Sequence, residues 1–147
     1  MPVNLIMRII FAYIKGLVSL LVIAFVFSIL FKGIGFFVVQ YVEMGSVVFS
    51  RLILIATLIT IAISFYYSAH IIGRDISINA GFVLPSIFAG IILISLVIKH
   101  LKLEEGDALL NNWLYLVLSV LFSFIFSYLG ANSGRKRVKE TGSNLDL

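Results

Sequence analysis

The chain reads as an all-α integral membrane bundle of four transmembrane helices, and three observations carry that reading. Hydrophobic residues make up 61% of its 147 residues and charged residues only 12%, against roughly 45–50% and about 25% in soluble domains. Four stretches are long and apolar enough to cross about 30 Å of hydrocarbon, which takes about 20 residues at about 1.5 Å each. Lys and Arg gather at the ends of those stretches and leave their middles uncharged. A water-soluble fold has too few polar residues here to cover its own surface.

The first span is expected over about 9–31, with Lys15 near enough to its start to snorkel back to the interface. Its apolar core is long and runs into "KGIGFF", with no small-residue cleavage site, so it reads as an uncleaved signal anchor. The segment "GIGFFVVQYVEM", 33–44, is apolar but too short to span. Ile34, Phe37, Val38, Tyr41 and Val42 share one helical face. With Gly33 and Gly35 offering a place to bend, it is expected to lie in the interface; prolonging the first helix is the alternative. The second span is expected over about 47–72, with Arg51 at its entry, the third over about 80–98 and the fourth over about 112–129. "KHLKLEEGDALLNN" joins the last two. Pro85 falls in the first turns of the third span, where a proline is tolerated. Residues 1–134 thus form one membrane domain, and 135–147 a basic tail, partly disordered because its last residues lack apolar periodicity.

Two spans end alike. "YYSAHIIGRD" closes the second and "SYLGANSGRK" the fourth, each with Gly-Arg six residues after a Tyr (Tyr67, Tyr128). Four spans place both termini on one side, with Arg8, Lys15, Arg74, Arg135, Lys136, Arg137 and Lys139. The other side holds Lys32, Arg51, Lys99 and Lys102. Seven against four puts the termini in the cytoplasm, in the inner membrane of a prokaryote. Gly73-Arg74 and Gly134-Arg135 then read as helix ends: glycine terminates, and arginine answers the helix dipole and anionic lipid. The matching ends also allow two αα-hairpins in parallel repeat, although the small-residue stripes of the two helices align only after a two-residue shift.

Those stripes are the candidate packing surfaces, because lipid offers no hydrophobic drive to pair helices and close approach must supply it. Helix one carries Gly16, Ala24 and Ser28 in a stripe with Ala12. Helix two carries Thr60, Ser64 and Ser68 after Ala56, helix three carries Ser86 and Gly90, and helix four carries Ser119, Ser123 and Ser127 before Ala131. A hydroxyl-lined path is the competing reading.

"SAHIIGRDISINAGF" and "YLGANSGRKR" resemble the corresponding segments of small four-helix membrane proteins of unknown function from Gram-positive bacteria. In those the second span closes on small residues before Ala-Gly-Arg, and the fourth on a Gly-rich run before a basic tail. Here Ser68-Ala69 stand where a Gly pair is expected. The resemblance implies the four-helix fold and no activity.

The chemistry-bearing residues are few. There is no Asp or Glu in the middle of any span, as proton or substrate coupling usually needs, and there are no cysteines. No serine has a plausible His and Asp partner, and no glycine-rich phosphate loop is present. His100 near Glu104, Glu105 and Asp107 makes a poor metal set in a loop. His70, beside Ser68 with Tyr66 and Tyr67 nearby, is the one candidate switch. Arg74, Arg135, Lys136, Arg137 and Lys139 are candidates for lipid contact, and Tyr41, Trp113, Tyr115 and Tyr128 for interfacial anchors. The expectation is a non-enzymatic membrane protein without metal or cofactor, acting through helix–helix contacts as an accessory subunit or a self-associating component. A path formed by an oligomer, or an immunity-type blocker of a pore-forming toxin, are the alternatives. The partners expected are the lipid bilayer, and other membrane proteins or a second copy; nucleic acid is not.

Overall fold

The structure is a computed structural model and describes residues 2–41, 46–102 and 113–143. Four α-helices account for nearly all of it: α1 Pro2–Tyr41, α2 Ser46–Asp75, α3 Val83–Lys102 and α4 Trp113–Ser143. No strand occurs among the described residues. Four helical stretches are long and apolar enough to cross a bilayer: Asn4–Val38 in α1, Val48–Asp75 in α2, Asn79–Ile98, which includes the 3-10 turn before α3, and Trp113–Thr141 in α4. The protein is an all-α, multi-pass membrane bundle.

Three helix boundaries differ from the sequence reading. First, α1 does not break at Gly33 or Gly35 but continues as helix through Tyr41. Glycine in a helix costs only about 1 kcal/mol relative to alanine, and the flanking apolar residues all sustain the helix. Gly35 is instead a contact, since a Cβ there would lie 3.6 Å from the Phe49 ring. The remainder of the expected interfacial segment, 42–44, lies outside the described residues, as does most of the loop before α4. Second, α4 does not stop at 129. It runs on to Ser143, so most of the tail expected to be partly disordered is helical. Third, neither glycine caps a helix, although Arg74 does lie in the last turn of α2 as expected. Gly73 lies before the last turn is complete at Asp75, and Gly134 lies well inside α4. No glycine among the described residues adopts the left-handed backbone of a terminating cap.

The turn between α2 and α3 is held by its own backbone. Ile76 N donates to Ile72 O at 2.8 Å, and Gly81 N to Ile78 O at 3.1 Å. The Ser77 hydroxyl accepts from Ala80 N at 3.3 Å. A 3-10 turn, Asn79–Phe82, then leads into α3. Pro85 is buried in the first turn of α3, where a proline is tolerated.

The core follows the seam between α2 and α4, with α1 packed along the opposite flank of α2. α3 meets the rest sparsely, near its beginning: Phe82 stacks on Phe124 and Tyr128 with ring centroids 6.2 and 6.3 Å away, and Phe88 meets Phe65 at 5.3 Å. Most large apolar side chains of α1 and α3 point outward. That is normal in a solvent as apolar as leucine, and it leaves the interior to small residues.

Candidate functional site

The most constrained region of the molecule is the α2–α4 seam, where backbone meets backbone. A Cβ at Gly73 would stand 2.5 Å from both the Cα and the carbonyl oxygen of Ala131. A Cβ at Gly130 would collide with the Tyr66 carbonyl, and one at Gly134 with the His70 carbonyl. Gly81, from the turn, closes on the same place: its Cβ would lie 2.8 Å from that of Ala131 and 3.5 Å from that of Ala69. These four positions admit no side chain without moving a helix.

Tyr66 then His70 on α2 meet Gly130 then Gly134 on α4, so the two helices run in the same direction. The contacts also explain the repeated endings. Gly73 and Gly134 occupy equivalent places in the two repeats, and so do His70 and Ala131. Gly73 against Ala131 and Gly134 against His70 are therefore one contact seen from two sides of a local two-fold axis. The repeated motif marks where two parallel helices touch. This equivalence stops at the seam, because α1 packs along α2 far more extensively than α3 packs on α4.

Sequence reasoning missed the G-x-x-x-G of "GANSG", Gly130 to Gly134, by reading its second glycine as a terminator. The spacing was a direct signal of close helix approach.

The predicted stripes divide into those that pack and those that do not. Ser64, Ser68, Ser119, Ser123 and Ser127 are buried within the bundle. Gly16 is buried against α2, and a Cβ there would fall 2.7 Å from Ile72 Cδ1 and 3.3 Å from Ser68 Oγ. Ala24 and Thr60 are half-buried, and Ser28 is exposed. On α3, Ser86 is exposed and a Cβ at Gly90 would meet nothing within 4 Å. The α3 stripe plays no part in packing this chain, since α3 leaves the bundle after its first turns.

Hydroxyl groups along the seam fall into two kinds. The Ser119 hydroxyl donates to Tyr115 O at 2.8 Å and that of Ser123 to Val120 O at 2.7 Å, both within α4. The hydroxyls of Ser64, Ser68 and Ser127 are buried without a hydrogen-bond partner. A group in that state costs about 1–3 kcal/mol of desolvation.

His70 is half-buried, with its ring stacked on Tyr66 at 6.3 Å and its Nδ1 buried and unpartnered. Arg74 is exposed, and its Nε donates to Asp75 Oδ1 at 2.8 Å. Of the other predicted lipid-facing residues, Lys136, Arg137 and Lys139 are exposed and Arg135 is half-buried. Trp113 is 73% exposed, as an interfacial anchor would be, whereas Tyr115 is 8% exposed and belongs to the core.

Comparison with known proteins finds no matching family model, no matching curated protein and no matching solved structure.

Proposed function

We propose that this protein is a non-enzymatic membrane component that works through helix–helix contacts, as an accessory subunit or by self-association. The observation that carries the reading is the contrast between two small-residue faces. The α2–α4 face is closed backbone to backbone. The Ser86–Gly90 face of α3 has the same composition and stands open, on a helix that its own chain barely holds. Small residues in a membrane helix favour close approach by another helix, and among the described residues none approaches a Cβ at Gly90 within 4 Å. The seven-to-four distribution of Lys and Arg supports placing both termini in the cytoplasm, and the resemblance of the helix ends to small bacterial membrane proteins supports a prokaryotic inner membrane.

The chain has no cysteine, which makes the test direct. Single cysteines are placed at Gly90 and, as control, at Ile91, which is 57% exposed and about 100° further round the helix, away from Ser86. In native membranes a bifunctional thiol reagent should link the Gly90→Cys protein into one discrete larger species and leave the Ile91→Cys protein monomeric. Equal behaviour of the two would count against the reading.

A further inference from the structure

At the far end of the α1–α2 pair from Gly16, the two helices part and enclose a groove of about 690 Å³, within the range of small-molecule sites. Ser28, Lys32 and Gly35 form one wall and Ala56, Thr57 and Thr60 much of the other. The threonines do not make it polar. Thr57 Oγ1 donates to Ile53 O at 2.8 Å and Thr60 Oγ1 to Ala56 O at 2.9 Å, so both hydroxyls are engaged by their own helix. Lys32, exposed at the mouth, is the one charged residue among the described lining residues. A trough lined mainly by apolar side chains, with both threonine hydroxyls engaged, disfavours water and polar solutes. A single ammonium at its mouth calls for an anion joined to an apolar tail.

We propose that this groove seats an acyl chain of an anionic phospholipid, with the lipid phosphate against the Lys32 ammonium. The occupant comes from the leaflet at the Lys32 end, opposite the leaflet that meets Arg74. A zwitterionic lipid fills the same trough and brings a phosphate too, but its own quaternary ammonium already answers that phosphate and competes with Lys32. A helix of a second copy would bury the ammonium against apolar surface with no counter-charge. The inference needs only residence in a bilayer and does not depend on the reading of the α3 face.

Native mass spectrometry of the full chain in mild detergent tests it, with phosphatidylglycerol or phosphatidylcholine of identical acyl chains added. The unmodified protein should bind phosphatidylglycerol more tightly, by about five-fold for one ammonium–phosphate contact at a membrane surface. Lys32→Gln, at an exposed position that does not threaten folding, should weaken that preference, whereas Arg51→Gln, exposed on α2 but outside the groove lining, should leave it unchanged. Thr57→Phe should lower binding of both lipids by filling the trough. Ile55→Phe, on the 54% exposed outer side of α2, should leave both unchanged. Equal binding of the two lipids by the unmodified chain overturns the proposal, as does a preference that Lys32→Gln leaves undiminished. Equal losses from Thr57→Phe and Ile55→Phe also overturn it, because they mark lipid that coats the whole helix. So does a photoreactive residue at position 57 that captures a second copy of the chain instead of lipid.

Discussion

The carbonyl of His70 occupies the space in which a Cβ on Gly134 would stand. Two transmembrane helices can come that close only where one of them has no side chain, and Gly73 against Ala131 provides the reciprocal contact. The seam is therefore set by absent atoms, and adding them is the sharpest way to probe it.

We predict that Gly134→Ala destabilises the bundle by about 1–3 kcal/mol, the usual cost of overpacking. The obstruction is backbone, which cannot rotate aside. Gly33→Ala is the control, because nothing lies within 4 Å of its added methyl. There the higher helix propensity of alanine should leave stability unchanged or raise it by up to about 1 kcal/mol. Unfolding in mixed micelles of increasing denaturing detergent measures both. Equal effects would mean that α2 and α4 do not touch at Gly134.

The reciprocal contacts carry a second expectation. Gly73→Ala and Gly134→Ala both push the same two helices apart, so the double variant should lose less stability than the sum of the single ones. Residues sharing one backbone shift typically couple by about 0.5–3 kcal/mol. Strict additivity in the same unfolding assay would show that the two contacts yield independently.

Ser123, at 0% exposure, is the most enclosed hydroxyl of the seam. Ser123→Leu should cost about 1–3 kcal/mol, whereas Leu121→Ile, at a 50% exposed position, should stay under about 1.5 kcal/mol. Unchanged stability of Ser123→Leu would place that face toward lipid.

Orientation is tested separately from packing. If both termini are cytoplasmic, a reporter active only in the cytoplasm should work when fused after Leu147 and fail when inserted near Gly106. The opposite pattern would overturn the reading of the Lys and Arg asymmetry.

Membrane residence, the number of spans and the buried serine line of α4 were all legible in the residues themselves. Hydropathy accumulates over a local window, and the cost of leaving backbone groups unpaired in hydrocarbon makes each such window a helix. The Ser119, Ser123 and Ser127 spacing shows directly as one face. What Gly73 and Gly134 do was not legible, because a glycine near the end of an apolar run suits a cap and a close crossing equally well. Only the arrival of the Ala131 backbone and the His70 carbonyl distinguishes the two. The same holds for Ser86 and Gly90, whose stripe resembles those of α2 and α4 yet faces outward. In water, amphipathicity would reveal which side of a helix is buried. In a bilayer the lipid is as apolar as the core, so that choice is left to the fit between helices in three dimensions.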